Sequence, residues 1–177
     1  KLMTPILPHT TEEIWTFLNE PEEFVQLTEM PKVNHFADEA MLLSKWDQFL
    51  ELRVNVLKAL EEARDAKLIG KSSEAALTLY VSDETKALLD SLHTDLATIL
   101  MVSELTIAPI ADASDDSERF DDNLAVLVAR ATGEVCERCR LVRKDVGADP
   151  DYPTLCASCA HIVRSEFPET ATEGFEE

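Results

Sequence analysis

All four cysteines of the chain lie in two Cys-x-x-Cys pairs. Cys136 and Cys139 form the first pair, Cys156 and Cys159 form the second, and sixteen residues separate the two pairs. Two such pairs can present four thiolates to one ion in a tetrahedron, with metal–sulfur distances of ~2.3 Å. The spacing therefore predicts one structural Zn²⁺ per chain. Because protein sulfur would fill every coordination position, we expect no catalytic role for this ion.

Other states of these cysteines remain open at this point. Two disulfides or four reduced thiols are the alternatives to a metal site. The chain is acidic and its first residues lack a secretory signal, so we expect a reducing cytoplasmic location, where disulfides are rare. His161 is an alternative ligand, although its position after the second pair better fits a histidine on the surface or beside the site.

Charge is unevenly distributed along the sequence. Among 177 residues, 16 Lys and Arg oppose 35 Asp and Glu, which gives a formal net charge of −19. This argues against a protein that binds nucleic acid through its whole surface. Segments 45–71 and 130–164 each hold six basic and five acidic residues, and both therefore suit a local contact with an anion. A solvated surface is the alternative explanation for these charges.

The apolar pattern predicts a mainly α-helical chain with a small α+β part. Apolar residues that recur every three or four positions from about 38 to 68 predict one long helix, with Gly70 as its stop. Its predicted apolar face carries Leu42, Trp46, Phe49, Leu50, Val54, Leu57 and Leu60. Earlier in the chain, Thr10 and Glu13 match a capping box ahead of a short helix that contains Trp15.

The second half of the chain mixes short strands and helices. Apolar or alternating runs predict strands at 76–82, 104–108 and 124–131. Asp83 and Asp95 are predicted to begin two short helices between the first two strands. Six acidic residues between 112 and 122 predict an exposed loop.

No catalytic residue is predicted. Gly70-Lys71-Ser72-Ser73 superficially matches a phosphate-binding loop, but the upstream glycine is missing and a helix precedes it where such a loop follows a strand. His9, His35 and His93 have no nucleophile pattern near them. No apolar run reaches the ~18 residues of a membrane span, so no membrane contact is expected.

Several motifs, in order, resemble one family of enzymes. Residues 3–15 (MTPILPHTTEEIW) resemble the anticodon-binding helical domain of class I aminoacyl-tRNA synthetases for branched aliphatic amino acids. Residues 53–75, which include ALEEAR and IGKSSEA, resemble isoleucyl-tRNA synthetases. The four cysteines, with Asp145-Val146-Gly147 and Leu155 between the pairs, resemble the C-terminal zinc finger of the bacterial members. Together the motifs cover nearly the whole chain.

The resemblance implies a C-terminal fragment of an isoleucine–tRNA ligase. The parent enzyme would use ATP and Mg²⁺, whereas the HIGH-like and KMSKS-like signatures of ATP binding are absent here. The fragment would bind the anticodon stem-loop of the isoleucine tRNA, and we expect it to be a cytoplasmic monomer. The cations implied as RNA contacts are Arg53, Arg64, Lys67, Arg138, Arg140, Arg143 and Lys144.

The resemblance also implies four segments. Residues 1–72 would end an anticodon-binding helical bundle, and residues 73–123 would form a small α+β segment with an acidic loop. Residues 124–164 would form the zinc module. The acidic residues 165–177 are expected to be disordered.

One position departs from the family pattern. Many members have Trp directly after the second cysteine, whereas this chain has Arg140. Stacking of an aromatic ring on a base, worth ~1–3 kcal/mol, is therefore lost there, although a guanidinium can stack or bind phosphate. Two alternatives stay open: a zinc finger of the formamidopyrimidine-type DNA glycosylase kind, and a zinc ribbon that binds protein.

Overall fold

The computed structural model describes residues 1–167 and divides them into two compact units. The first unit contains residues 1–41, and the second begins at Leu42. Most of the acidic tail predicted to be disordered lies outside the described residues. Its first two positions, Ser165 and Glu166, instead complete the last helix of the chain.

The first unit is built around helix α1 (Pro8–Thr16) and a single 3₁₀ turn at Val25–Leu27. The capping box predicted at Thr10 is wrong, because the helix begins two residues earlier with Pro8 in its first turn, where the missing N–H is not needed. Trp15 is buried, and its indole N–H donates to the carbonyl oxygen of Glu22 at 2.8 Å. This bond holds the irregular chain after α1 against the helix.

The long predicted helix is confirmed as α2 (Glu39–Asp65, 27 residues), but only part of its predicted apolar face is buried. Leu50 and Val54 are exposed, whereas Leu52 and Val56 are buried. The sequence of α2 is apolar on two sides, so periodicity alone does not choose between them. The buried positions are Phe49, Leu52, Val56, Ala59, Leu60 and Ala63.

Helix α2 ends at Asp65, and a left-handed Lys67 stops it in place of the predicted Gly70. Lys67 has a left-handed backbone with φ +60°, and its N–H donates to the carbonyl of Arg64 at 2.9 Å. The N–H of Leu68 donates to the carbonyl of Ala63, also at 2.9 Å. These two bonds form a Schellman motif, which usually places glycine where Lys67 lies.

A four-stranded sheet packs against α2. The three predicted strands are confirmed as β1 (Ala75–Val81), β2 (Glu104–Pro109) and β4 (Leu124–Arg130). Strand β1 pairs parallel with β2 and antiparallel with β4, in the order β2-β1-β4-β3, where β3 is the short strand Glu118–Arg119. Alternate β1 residues, such as Leu77 and Leu79, are buried and join the buried face of α2 in one core.

The acidic segment 112–122 is not wholly a loop, because it contains a short strand, β3 (Glu118–Arg119), which pairs with β4. Contacts with Lys58 of α2 hold β3 in this position. The ammonium of Lys58 donates to Glu118 at 2.9 Å and lies 5.1 Å from the ring centroid of Phe120.

Two short helices connect β1 to β2, as a parallel pair requires. Helix α3 (Asp83–Ser91) is capped by Ser82, one residue before the predicted Asp83. The second predicted helix is confirmed as α4 (Leu96–Leu100), and Asp95, which was expected to be its first residue, is its N-cap. A hairpin of β5 (Glu134–Val135) and β6 (Val142–Arg143) follows the sheet, and α5 (Ala157–Glu166) ends the described chain.

The four predicted segments stay a prediction. Strand β4, at the start of the predicted zinc module, is hydrogen-bonded to β1 within the main sheet. Among residues 1–167, no helix combines the length and apolarity needed to cross a membrane.

The cap of α4 generates a stability prediction. The carboxylate of Asp95 accepts from the hydroxyl of Thr98 at 2.7 Å and from the backbone N–H of Ala97 at 3.1 Å. Asp95→Ala should lower the free energy of unfolding by about 1 kcal/mol, and Asp95→Asn should cost less because it keeps a capping oxygen. Denaturant unfolding at neutral pH measures both differences.

The same cap should weaken in acid. The hydrogen bond from Thr98 is the largest cause that lowers the pKa of Asp95 in the folded chain. A lowered folded-state pKa gives stabilisation that is complete above the unfolded value of ~3.9 and is lost as the pH falls through the folded value. The stability difference between wild type and Asp95→Ala should therefore narrow in acid; a constant difference would contradict this assignment.

Candidate metal centre

The β5–β6 hairpin positions the first cysteine pair. Cys136 follows β5, and its N–H donates to the carbonyl of Leu141 at 2.9 Å. The carbonyl of Cys136 accepts from the N–H of Arg140 at 2.8 Å, which closes a tight turn around Cys139. Arg140 has φ +63° in this turn, so a large side chain occupies a backbone conformation that favours glycine.

The start of helix α5 positions the second pair. Cys156 is the N-cap residue of α5, and Cys159 lies in its first turn. The unpaired N–H groups at a helix N-terminus carry partial positive charge, which favours thiolates over thiols. The N-terminus of α5 therefore lies beside the sulfurs and would stabilise their negative charge.

The two pairs converge on one point. The Sγ atoms of the four cysteines all lie within 4.8 Å of one another, and none of these cysteines forms a disulfide. Three of them are buried, and Cys139 is the most exposed. A tetrahedral zinc site with bonds of ~2.3 Å places its sulfurs about 3.8 Å apart. The sulfur cluster therefore fits such an ion in ligand type, number and spacing.

Hydrogen bonds to sulfur support the cluster. The backbone N–H of Cys156 donates to Sγ of Cys136 at 3.3 Å, so one pair is bonded directly to the other. The guanidinium of Arg138 lies 3.7 Å from Sγ of Cys159. Arg138 therefore turns toward the sulfurs and partly offsets their charge.

The pKa of the Cys136 thiol is shifted in the opposite direction from the pKa values of the other three thiols. Burial acts to raise the pKa of Cys136, but the backbone N–H groups of Cys139, Cys156 and Arg138 outweigh it and lower that pKa to about 6. Burial is the largest cause that raises the pKa values of the Cys139, Cys156 and Cys159 thiols. One thiolate is thus favoured at neutral pH without metal, whereas four require a bound cation.

A buried hydroxyl fixes the hairpin to the sheet. Ser103, which precedes β2, is 2% exposed, and its hydroxyl donates to the carbonyl of Ser73 at 2.6 Å. The same oxygen accepts from the N–H of Val142 in β6 at 2.7 Å. Sequence reasoning missed this residue, because a serine between a helix and a strand carries no pattern that distinguishes it from a turn.

The predicted basic residues occupy different surroundings. Arg64 pairs with Glu61, and Lys144 lies 3.5 Å from Glu104. Arg143 is half-buried in β6 and acts electrostatically on Asp95. Within residues 1–167, no carboxylate lies within ion-pair distance of Arg53, Lys67 or Arg140.

The structure also locates His161, which is exposed as its position in the sequence favoured, and Lys71. His161, the alternative ligand, is not among the four residues whose ligand atoms converge; it lines a shallow hollow with Asp149 and Arg164. Lys71, which sequence reasoning assigned only to a turn, lines a cavity together with Cys139 and Arg140. Nothing in the sequence indicates this proximity, because 68 positions separate Lys71 from Cys139.

Two parts of the chain match known families. Residues 1–80 match the anticodon-binding domain of tRNA ligase, and residues 133–162 match the zinc finger found in FPG and IleRS. The chain is therefore similar to an anticodon-binding domain of the tRNA-ligase kind in one part and to a zinc finger in another. Because the zinc-finger family includes FPG, the anticodon-binding match is what disfavours the glycosylase alternative.

Similar proteins among the known relatives are isoleucine–tRNA ligases. The chain is 59% identical over 177 residues to the isoleucine–tRNA ligase of Limosilactobacillus reuteri and 60% identical over 177 residues to that of Pediococcus pentosaceus. It is 54% identical to the Lactobacillus acidophilus ligase over the same length. These alignments cover 100% of this chain and 19% of each relative. The chain spans about a fifth of the length of these relatives.

Gly133, which lies beside the hairpin, has no space around it for a side chain. Gly133 has φ +127°, and a Cβ atom added there would lie 2.4 Å from the carbonyl oxygen of Arg143. Gly133→Ala should therefore force β5 away from β6 and destabilise the chain by about 2 kcal/mol or more. Gly70→Ala is the matched control, because its Cβ would meet only the Glu74 carboxylate, at 3.4 Å. Equal melting temperatures for the two variants would contradict the described hairpin.

Proposed function

We propose that the chain is the C-terminal, tRNA-binding part of an isoleucine–tRNA ligase. It binds the anticodon stem-loop of the isoleucine tRNA and one structural Zn²⁺. The unbroken match along the whole chain, at 59–60% identity to the first two relatives described, carries the proposal. The parent enzyme, with ATP and Mg²⁺, joins isoleucine to its tRNA in the cytoplasm, whereas this part contributes binding and works as a monomer.

Zinc would connect the hairpin to α5. Cys136, Cys139, Cys156 and Cys159 would hold it, and when bound it supplies a rigid cross-link and no reaction chemistry. Four thiolates around Zn²⁺ carry a formal charge of about −2, which the N-terminus of α5 and Arg138 partly offset. The family match over 133–162 and the convergence of the sulfurs support this assignment.

The cations divide into two groups by their surroundings. Arg53, Lys67 and Arg140 have no carboxylate partner in the described part of the chain, so they can take up phosphate without breaking an ion pair. Arg64, Arg143 and Lys144 have acidic neighbours, and Arg138 points to sulfur. We infer that the first group contributes more to the affinity for RNA than the second.

Phosphate contacts would set the register of the RNA on the protein, while contacts to base edges and faces would select the anticodon. The rest of the surface is acidic, since the whole chain has a formal charge of −19. Repulsion by that surface would disfavour RNA that does not fit the basic region.

Zinc content provides the first test. Protein purified without chelators should contain one Zn²⁺ per chain, and replacement of any of the four cysteines by serine should abolish it. Chelation should expose the amides of 133–162 to hydrogen exchange while the β1–β4 sheet stays protected. His161→Gln is the matched control and should keep its zinc. Zinc-free protein with a folded hairpin would refute the assignment.

RNA binding provides the second test. The zinc-loaded chain should bind the isoleucine tRNA anticodon stem-loop more tightly than duplex DNA, with an affinity that falls as salt rises. Lys67→Ala should weaken binding and reduce the slope of log K against log salt by about 0.7–1. Lys86→Ala, which removes an ammonium paired with Asp90, should change neither. A preference for duplex DNA, or tight binding without salt dependence, would refute the function.

A further inference from the structure

Arg164 lies in the last turn of α5 and contacts the loop that joins the two cysteine pairs. Its guanidinium meets Asp149, Asp151 and Tyr152, and we call these four residues the clasp. We propose that Arg164 is a positioning residue for the zinc site, because the clasp holds α5 in the orientation that keeps the second cysteine pair beside the first. This role deepens the proposed function and rests on zinc binding by the four cysteines.

The contact between Arg164 and Asp149 uses two nitrogen–oxygen pairs. Nη1 of Arg164 lies 2.7 Å from Oδ2 of Asp149, and Nη2 donates to Oδ1 at 2.9 Å. Nη2 also donates to Asp151 at 3.0 Å, and the guanidinium carbon lies 5.2 Å from the centroid of the Tyr152 ring. A planar guanidinium can bind a carboxylate through two nitrogens while it lies against an aromatic ring, whereas an ammonium cannot. The clasp therefore fixes the direction of the Arg164 side chain.

Burial distinguishes the clasp from an ordinary surface ion pair. Isolated exposed pairs contribute little, because water screens them and two long side chains lose freedom. The Asp149 side chain is only 18% exposed, and the hydrogen bond from Arg164 is the largest cause that lowers its pKa. The carboxylate is therefore charged at neutral pH and partly removed from water. Asp151 is mostly exposed and adds less.

The same loop also binds the other end of α5. The carboxylate of Asp145 accepts from the N–H of Ala157, in the first turn of α5, at 3.1 Å. The loop thus holds this helix near its N-terminus through Asp145 and near its C-terminus through Arg164. A helix of ten residues is about 15 Å long, so the two attachments are well separated and resist tilting. Without the clasp, α5 would be free to pivot about Asp145.

The orientation of α5 determines where the second cysteine pair lies. Cys156 and Cys159 are at the start of this helix and move with it. The N–H of Cys156 donates to Sγ of Cys136 at 3.3 Å, and the N–H of Glu137 donates to the carbonyl of Thr154 at 3.2 Å, so both bonds are lost if α5 pivots. Zinc leaves only when thiolates detach from it, and a pivoting helix detaches two of them together. The clasp should therefore slow the release of zinc.

The position of Arg164 in its helix offers a second role that must be separated from the first. A cation in the last turn interacts favourably with the helix dipole, whatever the loop does. That role would survive Arg164→Lys and would not depend on Asp149. The clasp, in contrast, requires the planar guanidinium of Arg164 and the carboxylate of Asp149. Substitution of each partner therefore distinguishes the two roles.

The experiment measures how fast the zinc-loaded 177-residue chain transfers zinc to an excess of a chromophoric chelator. Arg164→Gln and Asp149→Asn should each raise the first-order rate constant roughly fivefold. Arg164→Lys should resemble Arg164→Gln more than wild type. Each variant should still bind one Zn²⁺, since all four cysteines remain. Lys86→Gln is the matched control, because it removes an ion pair of similar exposure in α3, and it should match wild type.

Salt provides a measurement that a role in the helix alone would not affect in this way. High salt screens an exposed ion pair, so about 1 M salt should speed the release of zinc from wild type relative to about 0.05 M. The same change should affect Arg164→Gln much less, because this variant has no clasp to weaken.

Exchange of the two charges provides a test that does not depend on loss of a side chain. Arg164→Asp or Asp149→Arg alone places like charges together and should speed zinc release. The double variant, with Arg164→Asp and Asp149→Arg, restores an opposite pair and should return part of the rate toward wild type, which two independent effects would not do.

Two results would overturn the proposal while the zinc site stands. The first is release of zinc from Arg164→Gln at the wild-type rate. The second is a wild-type rate in both Arg164→Lys and Asp149→Asn, which would leave Arg164 with the helix-dipole role only. If wild type purified without chelators contains no zinc, the zinc assignment itself fails, and the role of Arg164 fails with it.

Discussion

The cysteine hairpin and the start of α5 depend on the convergence of four sulfur atoms. Residues 133–162 form too short a segment to bury a core that would be stable by itself, since domains below ~40 residues usually need a metal or disulfides. The buried residues packed at its centre are Cys136, Cys156 and Cys159, with Val146 and Leu155 partly buried against them. The sulfur cluster therefore takes the place that a hydrophobic core has elsewhere in the chain. Arg138 and Arg140 owe their positions to it.

The connection between this cluster and the sheet is polar and specific. The hydroxyl of Ser103 bonds to Ser73 and Val142 at once, in a site closed to water. A buried hydroxyl with both its donor and an acceptor site satisfied stabilises one arrangement, because any rotation of the hairpin leaves polar groups unpaired. Apolar packing alone would tolerate sliding. Ser103 thus fixes the orientation of the hairpin relative to the sheet as well as holding it there.

The sequence predicts the elements of this fold better than their contacts. Strands β1, β2 and β4 and helix α2 follow from periodicity, and the cysteine spacing predicts the cluster. The buried face of α2 could not be predicted, because Leu50 and Val54 are as apolar as Leu52 and Val56, and only the sheet decides between them. The ends of α1 and α2 depend on Pro8 and on a left-handed Lys67 in place of the expected threonine and glycine. Lys71 meets the hairpin only through tertiary structure, and the predicted RNA contacts stay predictions.

Four residues other than glycine have left-handed backbones in the described chain: Lys67, His93, Met101 and Arg140. Each such residue stores roughly 1–2 kcal/mol of backbone strain, which the rest of the fold must overcome. Two of the four, Lys67 and Arg140, carry long side chains that are proposed to contact RNA. Selection for thermal stability alone would therefore favour glycine at these two positions. The resulting protein would be more stable but would bind RNA less tightly. Stability and RNA binding thus make opposite demands on the backbone φ angles of Lys67 and Arg140.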